Sequence, residues 1–133
     1  MRCRVLLVDD NEGILERAAE VLRSDFVIVG AVTHCQAALE TAVAVQPDVI
    51  VLDISLPDGC GLDVARRLKA TDSAVAIVFL TVHDDEEIAR EAKDAGGIGY
   101  VLKSRLGSEL LTAVHRASVG KRFPSGGLGD GPM

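Results

Sequence analysis

The sequence predicts an open, doubly wound α/β sheet, and three observations carry that prediction. Five short runs rich in Val, Ile and Leu alternate with five stretches of helical spacing. The runs are almost continuously apolar, the pattern of strands covered on both faces of a parallel sheet. Turn-forming residues fall between the two kinds of segment.

Taken in order, the first run is Val5–Val8, followed by a helical stripe of Ile14, Leu15, Ala18, Ala19, Val21 and Leu22. The second run, Val27–Val32, leads to a stripe of Ala38, Leu39, Ala42 and Val43, which Pro47 closes. The third, Val49–Leu52, is followed by the turn signal Pro57-Asp58-Gly59 and a stripe of Leu62, Ala65 and Leu68. The fourth, Val75–Leu80, precedes a thin stripe of Ile88, Ala92 and Ala95 that ends at Gly96-Gly97. Tyr100–Leu102 is the fifth run, and Leu110, Leu111, Val114 and Ala117 the fifth stripe. One folded domain is expected over residues 1–119. Residues 120–133 carry glycine and proline without apolar periodicity and read as a disordered tail or truncated linker.

Composition narrows the function. The chain has 133 residues, 48% of them hydrophobic and 26% charged, as in ordinary globular domains. Its formal net charge of −6 is wrong for a domain that grips a phosphate backbone, and 3% aromatics leaves no stacking platform for single strands. Cys3, Cys35 and Cys60 have no zinc-type or CxxC spacing and are expected to be free buried thiols. The opening segment, Met1–Val8, is too short and too charged at its end for a signal peptide or membrane span. A soluble, cytoplasmic protein is expected. Gly59-Cys60-Gly61-Leu62-Asp63-Val64 begins like a dinucleotide fingerprint, but it lacks the closing small residue and follows the wrong strand.

Ligands of such sheets bind beyond the carboxyl ends of the strands. Here the first strand runs into Asp9-Asp10, the third into Asp53, the fourth into Thr81 and the fifth into Lys103. Singly these are a helix-capping pair, a turn aspartate, a strand threonine and a solvated lysine. Together they put three carboxylates, a hydroxyl and an ammonium at one sheet edge. Crowded carboxylates resist ionisation, and a divalent cation relieves them. With oxygen ligands only, Mg²⁺ suits the set better than zinc. Mg²⁺ takes few protein carboxylates, which leaves one aspartate free to attack a phosphoryl group.

The segments LLVDD (Leu6–Asp10), VIVLDISLPDGCGLDV (Val49–Val64), VFLTVHDDEE (Val78–Glu87) and GYVLKS (Gly99–Ser104), in this order and spacing, resemble the receiver domain of two-component response regulators. The resemblance implies a flavodoxin-like (βα)5 fold with strand order 2-1-3-4-5, an order for which a receiver is a standard example. It implies Asp53 as phosphoacceptor and Asp9, Asp10, Asp53 and the Ser55 backbone carbonyl as Mg²⁺ ligands. It also implies that Lys103 pairs with the phosphoryl oxygens, that Thr81 and Tyr100 form a switch, and that Pro57 and Gly61 shape the acceptor loop. Ser55 and His83 occupy positions that tune dephosphorylation in the family, although His83, like His34 and His115, also reads as a surface histidine. Val82, bulkier than many receivers carry after the switch threonine, narrows access to the site.

HDDEE, GYVLK and SELLTAVHRASVGKRF look most like the NarL/LuxR-type branch, which joins a receiver to a helix-turn-helix domain. The partner implied is a sensor histidine kinase, with homodimerisation on phosphorylation as a further expectation. DNA would be reached only through a helix-turn-helix domain that this sequence does not contain, so the chain is either an excised or a stand-alone receiver. The output face is expected on the fourth helix, fifth strand and fifth helix, the thin fourth stripe leaving its helix weakly held. Two other readings compete. A phosphatase of the haloacid-dehalogenase type needs a second acid two residues after the nucleophile, where this chain has Ser55. A degenerate receiver that only binds proteins is opposed by the intact set Asp9, Asp10, Asp53, Thr81 and Lys103.

Overall fold

A computed structural model describes residues 2–71 and 74–122. The principal sheet is formed by β1 (Arg4–Val8), β2 (Val27–Val32), β3 (Val49–Leu52), β6 (Ala76–Thr81) and β7 (Gly97–Leu102). All neighbours are parallel, in the order β2-β1-β3-β6-β7. Counting these five alone, that is the expected 2-1-3-4-5 arrangement of a flavodoxin-like fold. β4 (Ser55–Leu56) and β5 (Gly59–Cys60) form a small antiparallel hairpin apart from it.

The helices are α1 (Glu12–Leu22), α2 (Cys35–Val45), α3 (Gly61–Thr71), α4 (Glu86–Asp94) and α5 (Leu106–Arg122), with a 3₁₀ turn at Lys103–Arg105. Strand side chains alternate between two apolar layers. Leu6, Val8, Ile50, Leu52, Ile77 and Phe79 meet Ala38, Leu62, Leu68 and Ala92 of α2, α3 and α4. Val5, Leu7, Val49, Val51, Val78 and Leu80 meet Ala18 and Leu22 of α1 and Leu110 and Val114 of α5. Helices therefore cover both faces, and truncating a fully buried side chain such as Phe79 costs about 3–5 kcal/mol.

Helix ends follow local chemistry. Asn11 Oδ1 accepts from Ile14 N at 3.0 Å and starts α1, so Asp9 and Asp10 are not its cap. Asp85 starts α4 by accepting from Ile88 N at 3.2 Å, and Glu86 and Glu87 suit the positive end of the helix dipole. Gln46, at φ 50°, ends α2 before Pro47. α4 is held as thinly as its stripe suggests, by buried Ala92 and Ala95 and half-buried Ile88.

Several expectations need correction. β2 is an edge strand, with no strand beyond it among the described residues, and Val27 is 40% exposed. Val43 points to solvent at 72% exposure and does not belong to the apolar stripe of α2. β7 starts at Gly97, three residues before the apolar run, and its glycine packs where a Cβ would come within 2.6 Å of the Phe79 ring. Cys35 and Cys60 are free thiols as expected, but all three cysteines are half-buried. α5 continues through Arg122, past the expected boundary at 119. Residues 123–133, most of the expected tail, lie outside the described residues.

Candidate functional site

Register brings the acidic residues together. Val8 pairs with Leu52, so Asp9 and Asp53 are the next residues on adjacent strands. Asp53 N donates to Val8 O and Asp9 N to Val32 O, each at 3.0 Å, continuing the ladders into the loops. Asp9 and Asp53 are buried and Asp10 is exposed. Oxygens from the three carboxylates lie within 4.8 Å of one another. Thr81 pairs with Leu102, which puts Lys103 at the same sheet edge.

The Lys103 ammonium lies 2.9 Å from Asp53 Oδ2, to which it donates a hydrogen bond, and 2.9 Å from Asp9 Oδ2. Burial alone pulls the lysine pKa down, but the hydrogen bonds and charges of Asp53 and Asp9 overcome it and hold it above the ordinary value. Burial pushes the Asp9 carboxyl up, against the Asn11 amide and Lys103, and the Asp53 charge adds to the rise. Asp9 Oδ1 accepts from Asn11 N at 2.9 Å. Asp9 Oδ2 is buried and is met by the Lys103 ammonium as an ion pair.

The three carboxylates as a group could hold a cation. The one ammonium pairs with two of the three carboxylates, and every candidate donor is oxygen, the preference of a hard ion such as Mg²⁺. The acidic triad is therefore consistent with a receiver-type metal site.

Around this centre, Asp53 Oδ1 accepts from Ser55 N at 3.3 Å. Gly61 opens α3 with its N donating to Ile54 O at 2.6 Å, and a Cβ there would collide with the Asp53 carbonyl oxygen. Glycine is required by that close approach. Thr81 is fully buried, and its hydroxyl accepts from His83 N at 3.1 Å. Tyr100 donates from its hydroxyl to His83 O at 2.8 Å and so lies outside the carboxylate group. Burial raises the Tyr100 pKa, with Asp85 and Asp84 adding to it.

These contacts add weight to residues that read as surface or turn positions in the sequence. His83 is half-buried, and its Nε2 lies 3.1 Å from Ser55 Oγ, joining two loops 28 residues apart. No sequence spacing signals such a contact. Asp58, read as a turn residue, accepts from the first amides of α2. His115 is exposed as expected, but its Nε2 lies 2.6 Å from Asp25 Oδ2 and its ring packs on Phe26.

Residues 5–115 match the family described as "Response regulator receiver domain". The chain belongs to the response regulator receiver family. It is 34% identical over 120 residues to the DNA-binding transcriptional activator DevR/DosR of Mycobacterium tuberculosis, covering 89% of this chain and 55% of that protein. The receiver domain of the putative response regulator NarL from the same organism superposes with a TM-score of 0.84 at 28% identity, covering 90% of this chain and 98% of that one. A LuxR-family response regulator from Aurantimonas sp. SI85-9A1 gives 0.83 at 29% identity, covering 91% and 88%. This receiver thus spans about half the length of the curated relative it matches. Among its described residues, no helix is long and apolar enough to cross a membrane.

Proposed function

We propose that this receiver accepts a phosphoryl group on Asp53 from a sensor histidine kinase or a small phosphodonor, and that the modification resets a signalling surface. The observation that carries the reading is the approach of Lys103 Nζ to 2.9 Å from both Asp53 and Asp9 within the group of three carboxylates. An Asp53 carboxylate oxygen attacks phosphorus, the bond from phosphorus to the donor breaks, and the donor leaves with that electron pair. Lys103 is placed to meet the added negative charge. Asp9, Asp10, Asp53 and the Ser55 backbone carbonyl would hold Mg²⁺, which supplies charge neutralisation at the phosphoryl oxygens when bound. Thr81 then exchanges its bond with His83 N for one to the phosphoryl group, and Tyr100, held on the carbonyl of the same His83, shifts with it.

Its likeness to a transcriptional activator and a LuxR-family regulator supports a place in transcription regulation, with this receiver as the regulatory part of a cytoplasmic LuxR-type regulator. DNA contact would then belong to a separate helix-turn-helix domain.

Incubation with acetyl phosphate and Mg²⁺, followed by intact-mass measurement, tests the reading. A single gain of about 80 Da, absent in Asp53→Asn and without Mg²⁺, supports it. Steady phosphate release from a small phosphoester would instead indicate a phosphatase. No gain with any donor would indicate a module that only binds proteins.

A further inference from the structure

The β4–β5 hairpin carries Ser55 and leads into Gly61, so it frames the acceptor on two sides. Its own pairing is minimal: Ser55 opposite Cys60, and Leu56 opposite Gly59. The tip, residues 57–59, is exposed, and Leu56 is the hairpin's buried side chain. Something else must fix its position.

Facing it, α2 begins badly. His34 occupies the N-cap position, and its side chain makes no capping bond. The helix is instead capped from the hairpin: Asp58 Oδ1 accepts from Cys35 N at 2.7 Å, and Oδ2 from Gln36 N at 3.2 Å, across 23 and 22 residues. A carboxylate is favoured at this positive end of the helix dipole. The two amides, first Cys35 and then Gln36, hold the Asp58 carboxyl below its ordinary value. Gly59 lies close to the same helix, where a Cβ would come within 3.1 Å of Cys35 Sγ. α2 is itself anchored in the core by Ala38 and Ala42.

We propose that Asp58 is a positioning residue for the acceptor site, clamping the hairpin tip to α2 and so fixing the Ser55 backbone beside Asp53. The inference rests on the reading of Asp53 as phosphoacceptor. The chain of contacts is short. Asp58 holds the tip, Ser55 sits opposite Cys60 in the hairpin and donates to Asp53 Oδ1, and Gly61 bonds back to Ile54. Releasing the tip frees both ends of the loop that carries the acceptor. The coupling is reciprocal, so a ligand that orders the acceptor loop also tightens the clamp and protects the Cys35 and Gln36 amides.

The test compares the full chain with Asp58→Ala, Asp58→Asn and the double variant Asp58→Ala/His34→Asp, which restores a cap within α2 without the clamp. Mg²⁺ dissociation constants come from calorimetry, exchange of the Cys35 and Gln36 amides from NMR, and labelling rates from acetyl phosphate. Asp58→Ala should weaken Mg²⁺ binding about tenfold, as loss of an outer support of a metal site does, and slow labelling. Asp58→Asn, which keeps one acceptor oxygen, should recover part of both. The double variant should regain amide protection and unfolding midpoint but not Mg²⁺ affinity.

Unchanged affinity in Asp58→Ala, or full recovery in the double variant, would overturn the proposal and leave Asp58 as a helix cap only. A parent chain that neither binds Mg²⁺ nor gains mass would overturn the reading of Asp53 and the positioning role with it. That failure is distinct, because it appears without any change at Asp58.

Discussion

Replacing Asp9 by asparagine separates what the acidic site costs the fold from what it does for metal. Oxygens of the Asp9, Asp10 and Asp53 carboxylates lie within 4.8 Å of one another. At that separation a carboxylate pair repels by roughly 3 kcal/mol at an effective dielectric constant of about 20. Lys103, at 2.9 Å from each, attracts Asp9 and Asp53 more strongly than they repel one another, so what remains against Asp9 is desolvation. The balance at Asp9 is unfavourable, since burial raises its pKa in spite of the lysine. Asn keeps the shape and an oxygen for the Asn11 amide while removing the charge.

In EDTA at pH 7, Asp9→Asn should therefore be more stable than the parent. Free Mg²⁺ at ten times its dissociation constant should add roughly 1.4 kcal/mol to the parent and little to the variant. Urea unfolding followed by far-UV circular dichroism measures both, since the chain has no Trp and one Tyr. A variant less stable than the parent in EDTA refutes the view of Asp9 as a strained, desolvated carboxylate. A variant that keeps the full Mg²⁺ increment removes Asp9 from the ligand set.

Three further outcomes follow from particular contacts. Gly61→Ala drives a Cβ into the Asp53 carbonyl oxygen; it should cost about 2 kcal/mol in urea unfolding and slow acetyl phosphate labelling. The hydrogen bond from His115 holds the Asp25 pKa below its ordinary value. Its contribution to stability is thus complete above about pH 4 and fades as pH falls through the depressed folded value. The stability gap between parent and Asp25→Asn should narrow on acidification, and a constant gap across a pH series contradicts this. Burial, with help from Asp58, pushes the Cys35 thiol up to about 11. At pH 8 it should alkylate about a hundredfold more slowly than an ordinary thiol, read by peptide mass after timed iodoacetamide exposure.

The sheet was legible because its strands are apolar runs that end in polar residues, and Asp9, Asp10, Asp53, Thr81 and Lys103 all fell at those ends. What escaped lay where the residues are small or the contacts distant. Gly97 and Gly99 interrupt the apolar run of β7, although the fold needs small residues there against Phe79 and Val78. Asp58-Gly59 is a hairpin signal, but strands of two residues have no periodicity to read. The exposure of Val43 and Val27 depends on which neighbours the helix face and edge strand receive, which no local run encodes. The bridge from His83 to Ser55 and the cap from Asp58 to α2 join residues 28, 23 and 22 positions apart, and only the assembled loops reveal them.

The most direct measurement is chemical location of the phosphoryl group. After acetyl phosphate and Mg²⁺, borohydride reduction converts an aspartyl phosphate into homoserine, which peptide sequencing by mass spectrometry assigns to one residue. The account predicts homoserine at position 53 alone. Homoserine at position 9 or 10, or none at all from a chain shown to bind Mg²⁺, contradicts it.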